Sequence, residues 1–367
     1  KIASKLCFKI GGFMKPSKAL QIMKSVLKGG NAPFLIGGTG VGKSAVVLLL
    51  TSDLANGREV IIGETSPNKD QYGFIDFRLS LYESVDLGGL PYIHNQESDE
   101  LAVQRRAFMG NLPVSGEGIL FFDEYAQAHN SVQAVVGQLI YEGRLGEYTL
   151  PDGWKIICAG NRHTDRAGSN KLPSHVVGRT SMIQFEHDTG DWLDWAMVND
   201  VHPEVLGFIS FQPEWLNVFD SKVITPQPSP RSWTRLSDTL KTEPPIELLQ
   251  DIAKCDVGET ASIEFHTFCS LKLQLPNLDD IVNGEEVEVV DSNGMMYATI
   301  VALVTTLREA SDLKVNEYFE NALAYIDRFP TEEYGIFFVR SVINARSELK
   351  ETSTYSAFKV KHQELEV

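Results

Sequence analysis

The chain is predicted to be an α/β protein in which helices wrap a mostly parallel sheet, followed by an α-helical region. Three observations predict this. Short apolar runs alternate with helical stretches from Asn31 to about Glu186; a glycine-rich turn joins the first such run to a helix; and beyond Asp191 the strand patterns fade. At 367 residues the chain is long enough for two cores. The expected division is residues 1–30 as an N-terminal extension and linker helix, 31–190 as an αβα domain, and 191–367 as a helical lid and C-terminal region.

Each element follows from local chemistry. Pro16 opens an amphipathic helix in which Ala19, Leu20, Ile22, Met23, Val26 and Leu27 share one face, and Gly29-Gly30-Asn31 stops it. Strands are expected at Phe34–Ile36, Phe74–Leu79, Gly118–Phe122, Trp154–Ala159 and Ser181–Phe185. In the helical region, breakers stand at Thr225–Pro230 and Glu243-Pro244-Pro245, with a loop at Asn283–Glu286. The longest apolar run, Met295 to Leu307, is too short to span a bilayer and reads as a buried helix.

Composition excludes several classes. A formal charge of −16 argues against a surface that coats nucleic acid, although a small basic pore is compatible with it. Cys7, Cys158, Cys255 and Cys269 form no C-x-x-C pair, so reduced thiols are expected. The histidines form no zinc pattern. No leader pattern stands at Lys1, and a cytoplasmic location is expected.

The first chemical signal is Gly37-Gly38-Thr39-Gly40-Val41-Gly42-Lys43-Ser44, which matches G-x-x-x-x-G-K-[ST] between a strand and a helix. Its glycines let the backbone curl so that successive N–H groups face phosphate oxygens. Lys43 is expected to reach the β/γ-phosphates, and the Ser44 hydroxyl to ligate Mg²⁺. The second signal, Ile119 to Glu124, is an apolar strand ending in two carboxylates. Asp123 is expected to share the Mg²⁺ with Ser44, and Glu124 to polarise the attacking water. A third strand, Lys155 to Asn161, ends in an amide suited to bonding that water and the γ-phosphate. Arg179, before the last strand, is placed to reach a neighbouring subunit's nucleotide, and Arg231, at a helix start in the second region, to sense the phosphates.

The order and spacing of these five elements resemble an AAA+ ATPase, in particular its MoxR-like branch. The branch-level likeness rests on Arg78-Leu79-Ser80 with Asp86 to Pro91; on Phe122 to Tyr125 with Val132-Gln133 and Gln138 to Arg144; on Ala159 to Arg162 with Leu172-Pro173 and Arg179; and on Pro230 to Trp233. It covers about Asn31 to Leu240. Gly178 departs from the acidic residue often found before the trans-acting arginine, which leaves Arg162 and Arg166 as rivals of Arg179. The resemblance implies a P-loop AAA+ three-layer αβα core, ATP and Mg²⁺ as cofactors, and a homo-oligomeric ring, most simply a hexamer, with ATP at subunit interfaces. It places Asp86 to Tyr92 toward the pore and Gly143 to Leu150 in a hairpin, with Arg105-Arg106 between them. Its implied partner is a protein, such as one with a von Willebrand factor A domain, remodelled in a chaperone-like way. A motor acting on DNA is the alternative, disfavoured by the scarcity of basic runs. A nucleotide-gated scaffold is the third, disfavoured by the presence of both Glu124 and Asn161.

Overall fold

The structure, a computed structural model, describes residues 14–89, 91–93, 103–105, 111–146, 148–162, 170 and 172–362. Two compact units divide the chain, Lys1–Asp188 and Thr189–Val367.

In chain order the first unit contains α1 (Pro16–Lys28), β1 (Ala32–Gly37), α2 (Lys43–Leu54), β2 (Glu59–Ile62), β3 (Gln71–Arg78), α3 (Ser84–Gly88), β4 (Pro91–Ile93), β5 (Val103–Arg105), β6 (Gly118–Asp123), α4 (Asn130–Glu142), β7 (Arg144–Leu145), β8 (Tyr148–Thr149), β9 (Trp154–Asn161), α5 (Ser174–Val177) and β10 (Thr180–Phe185). Six strands form one sheet in the order β10-β1-β9-β6-β3-β2. Every pairing in it is parallel, so all six carboxyl ends lie along one edge. With helices packed on both faces of this parallel sheet, the unit is a three-layer αβα architecture.

Alternation along the strands builds two apolar layers. Leu35, Phe74, Ile119, Phe121, Ile157 and Ile183 face α1 and α2, packing on Ala19, Met23, Val46, Val47 and Leu50. Phe34, Ile75, Phe77, Leu120, Phe122 and Cys158 face the other way, onto Val132, Val136 and Leu139 of α4. Helix α1 is therefore part of this core, and the residue before its cap joins the sheet edge: Met14 N–H donates to Gln184 O at 2.8 Å.

Five strands go beyond those expected from the sequence pattern. β2 is a short edge strand, half-buried along Val60 and Ile61. The antiparallel pair β4–β5 is inserted between β3 and β6, and β7–β8 follows α4 across Gly143 and Gly146, both left-handed. The segment Gly143 to Leu150 is thus a hairpin about residue 147, which lies outside the described residues, as do Leu90, Arg106 and Arg166.

The second unit holds α6 (Thr189–Val198), α7 (Pro203–Phe211), α8 (Pro230–Leu240), α9 (Leu249–Val257), α10 (Glu259–Ser270), α11 (Leu278–Val282), α12 (Asn293–Glu309), α13 (Val315–Ile326), α14 (Glu332–Ala345) and α15 (Ser353–Lys361). Its core centres on Phe208, which packs against Trp233, Phe265 and Phe268. The apolar run in α12 is a core helix, with Ile300, Leu303 and Leu307 fully buried. Among the described residues no helix is long and apolar enough to cross a membrane. Cys158, Cys255 and Cys269 form no disulfide, and Cys7 lies outside the described residues.

The amino edge of the sheet is closed by one side chain. Gly118 pairs with Gly73 on one side and Trp154 on the other, and the Trp154 indole lies across both glycines while donating to Ser115 O at 3.0 Å. A Cβ on Gly118 would stand 2.4 Å from Gly73 O and 2.7 Å from the indole. Gly118→Ala is therefore expected to lower stability by about 1–3 kcal/mol through overpacking. Gly88→Ala, where a Cβ meets open space, is the control expected to change thermal unfolding little. Equal melting temperatures for the two variants would contradict this account.

Candidate functional site

At the carboxyl edge the ends of four strands come together. Gly37 of β1 pairs with Asn161 of β9, Phe122 pairs with Cys158, and Arg78 of β3 pairs with Asp123. Pairing alone therefore brings together residues far apart in sequence.

After Gly37 the chain turns through Gly40 and Gly42, both left-handed, before entering α2. The φ of Gly42 is 94°, a region L side chains rarely adopt, and a Cβ there would meet nothing within 4 Å. The N-terminus of α2 has no side-chain cap, so its first N–H groups face the loop hollow without an intrahelical acceptor. Lys43, although buried, keeps its ammonium bonded: Nζ donates to Gly37 O at 3.1 Å, Gly38 O at 2.6 Å and Asn161 Oδ1 at 2.8 Å. Ser44 Oγ donates to Asp123 Oδ2 at 2.7 Å. The Cβ-sized space over Gly42, the uncapped helix start and the Ser44–Asp123 pair together fit an oxyanion chain with a hard divalent cation. Among the described residues no three His, Cys, Asp or Glu side chains converge into a metal site. A cation would thus rely on Asp123 and Ser44 plus oxygens of its ligand and of water.

Glu124 is the strained residue of the site. Its φ is 54° and ψ 30°, left-handed backbone that costs a non-glycine residue about 1–2 kcal/mol. Its N–H donates to Asp123 Oδ1 at 2.8 Å, and its carboxylate accepts from the Ser80 hydroxyl. Surrounding contacts hold the turn that follows. Tyr125 is fully buried against Phe34, and its hydroxyl donates to Gln133 O at 2.7 Å. Ala128 O accepts from Gln133 Nε2 and from Asn170 Nδ2, each at 3.0 Å. Gly160 lets β9 approach, since a Cβ there would stand 3.1 Å from Ala126 N.

Asp76 adds negative charge on the same sheet face as Asp123. Burial, and next the Asp123 carboxylate, push its pKa above the ordinary value, against the pull of Arg78. That field disfavours a further anion and favours a cation beside Asp123.

The sequence-predicted residues divide into three places. Gly37 to Ser44, Asp123, Glu124 and Asn161 converge at the carboxyl edge. Arg179 does not. It precedes β10, whose Thr180 pairs with Ala32 while Phe185 pairs with Gly37, so Arg179 stands at the opposite edge, about 20 Å away at 3.3 Å per residue. There its guanidinium lies 4.3 Å from the Tyr141 ring centroid. Arg162 is bound to Glu186 at 2.8 Å. Arg231 belongs to the second unit, exposed on the first turn of α8, which is capped by Ser229 and anchored by the buried Trp233. Sequence reasoning assigned no role to Ser80, Gln133 or Asn170; only the fold brings them to Glu124 and its turn.

No protein family description matches the chain, and no curated protein sequence does either. Among solved structures, NtrX from Brucella abortus shares 11% identity over 96% of this chain and 69% of that one, at a TM-score of 0.37. A RuvB variant from Thermotoga maritima shares 13% identity over 79% of this chain and 83% of that one, at 0.35. The RuvB Holliday junction branch migration motor from Thermotoga maritima shares 13% over 80% and 75%, at 0.33.

Replacing Glu124 by glycine removes both the backbone strain and a carboxylate beside Asp123. Glu124→Gly is expected to raise stability by about 1 kcal/mol, seen as a higher midpoint in thermal unfolding. A lower midpoint would mean that the turn is not strained.

Proposed function

We propose that this chain is a Mg²⁺-dependent ATPase of the AAA+ class, MoxR-like in its motifs, which couples ATP hydrolysis to remodelling of a partner protein within a homo-oligomeric ring. The observation that carries the reading is the convergence, at one sheet edge, of Lys43, Asn161, Ser44 and Asp123, with Glu124 one residue on.

The residues divide the work. N–H groups of Gly38 to Ser44 cradle the phosphate chain, and Lys43 exchanges its loop carbonyls for β/γ-phosphate oxygens. Ser44 and Asp123 hold Mg²⁺, which when bound neutralises phosphate charge and fixes the γ-phosphoryl. Glu124 orients and polarises the attacking water and accepts its proton. Asn161 bonds the same water or a γ-phosphate oxygen, which gives it a task in place of its present bond to Lys43. Arg179, on the far edge, serves the nucleotide of a second copy. Arg231 reports nucleotide state to the helical unit. The Ser80 hydroxyl, which donates to the Glu124 carboxylate, helps to place it.

The ring is a hexamer in this proposal, located in the cytoplasm, and the partner is a protein such as one carrying a von Willebrand factor A domain. The acidic balance of the chain, −16 in formal charge, favours a protein over a nucleic-acid substrate.

Glu124→Gln is expected to keep ATP binding and to lower turnover at least about 100-fold, the usual worth of a positioned base. Phosphate release and retention of labelled ATP measure the two separately; wild-type turnover in the variant would remove Glu124 from the mechanism. Mixing Lys43→Ala with Arg179→Ala subunits is expected to restore activity above either alone, because each supplies what the other lacks. Unchanged turnover on adding single-stranded or duplex DNA is the expected result; strong, salt-sensitive stimulation would replace the protein partner with a nucleic acid.

A further inference from the structure

We infer that Tyr141 is a positioning residue: its ring is the platform that orients Arg179 toward a triphosphate bound by a second copy of this chain. The inference rests on the ATPase reading above and goes beyond it by assigning the group that aims the arginine.

Arg179 leaves a short, well-bonded turn. Gly178 N–H donates to Ser174 O at 3.0 Å and Arg179 N–H to Val176 O at 3.1 Å, which fixes where its side chain begins. The side chain ends over Tyr141, Cζ to ring centroid 4.3 Å, well inside cation–π range. Tyr141 lies on the last turn of α4, and the opposite face of that helix is locked into the core through Val132, Val136 and Leu139. Tyr141 is 63% exposed, so it contributes little to that core. An exposed aromatic side chain at a rigid helix end is positioned by the fold without being needed for it.

The form of the contact is informative. Several other arginines hold acids, namely Arg58 with Glu117, Arg162 with Glu186, Arg235 with Asp256, Arg340 with Asp194 and Arg346 with Asp312, whereas Arg328 bonds Val287 O and lies over the Tyr325 ring. Among the described residues Arg179 pairs with no carboxylate, and the Tyr141 ring is its side-chain partner. A carboxylate would occupy the in-plane N–H donors and neutralise the charge that phosphate recognition needs. A ring face occupies only the guanidinium plane, which leaves the N–H fork open to anionic oxygens. The contact therefore restrains the group in one orientation while keeping its recognition chemistry intact. Since the cis phosphate loop lies at the other sheet edge, the oxygens it meets belong to another copy.

The test is steady-state ATP turnover of the full chain, with affinity for a fluorescent ATP analogue measured alongside. Tyr141→Leu, a good helix former at an exposed position, is expected to lower kcat about three- to fivefold, the range of an exposed cation–π contact. Analogue affinity should stay within about twofold, since the platform serves another copy's nucleotide. Tyr141→Phe keeps the ring and is expected to rescue turnover to within about twofold of wild type. In the Arg179→Ala background, Tyr141→Leu should cost nothing further. Wild-type kcat in Tyr141→Leu, failure of Tyr141→Phe to rescue, or an additive loss in the double variant overturns the platform. Turnover absent from the wild-type chain overturns the ATPase reading and the platform together, whereas undiminished turnover in Arg179→Ala overturns the arginine's role and leaves the phosphate site standing.

Discussion

The register of three parallel strands is the constraint on which everything else depends. Pairing of β1 with β9, and of β9 with β6, puts Gly37 beside Asn161 and Asp123 one step from Cys158. A slip of one residue in β9 would turn Asn161 to the other face of the sheet and carry it away from Lys43. Two-sided burial forbids the slip. Ile157 and Ala159 fill one layer while Ile156 and Cys158 fill the other, so any shift would exchange the contents of two shaped cores. The geometry of this edge is thus a by-product of apolar packing, and its precision comes from side chains that never touch the site.

Glu124 shows what that packing supports. Its left-handed backbone is unfavourable alone, and two neighbouring carboxylates, Asp123 and Asp76, add repulsion. The turn after it is tied at Ala126 and Ala128 by Asn170, at Ala128 by Gln133, and by the buried Tyr125 hydroxyl. These bonds are made by buried or half-buried groups, where each is worth about 1 kcal/mol and an unmade one costs more. Together they exceed the strain, and the carboxylate stays at the edge where a water could meet it. Local instability at a site held by surplus stability around it is expected where chemistry has selected the backbone.

What could be read in the sequence follows from the range of each interaction. The phosphate loop, the acidic strand end and the strand ending in Asn161 are contiguous segments whose residue types and apolar lead-ins carry their own signal. Their strands were legible because each is a continuous buried run. β2 was not, since Glu59–Ile62 is a short edge strand buried on neither face, and the β4–β5 and β7–β8 ribbons are too short for a period to show. Ser80 and Asn170 were invisible as site residues for a different reason. Their partners lie elsewhere in the chain: Ser80 meets Glu124 across 44 positions, and Asn170 meets Ala128 across 42. Polar residues of this kind are ordinary in isolation, and only the sheet makes them neighbours.

The same sheet decides where an arginine can act. Parallel strands give the unit two unlike edges: one gathers the phosphate loop and carboxylates, the other carries Arg179 at the entry to β10. No rotamer of an arginine bridges a distance of about 20 Å. A guanidinium at the amino edge can therefore stabilise charge only on a phosphate brought to it by another molecule. Contact between the unlike edges of two identical copies is heterologous, and repeated heterologous contacts either close into a ring or grow into a filament. Under the proposed ATPase reading, closure would give every copy both a donor and an acceptor role, with each nucleotide completed by a neighbour. Under that reading a complete site would need a second copy, because the strand after Arg179 pairs in parallel with the strand before the glycine-rich loop.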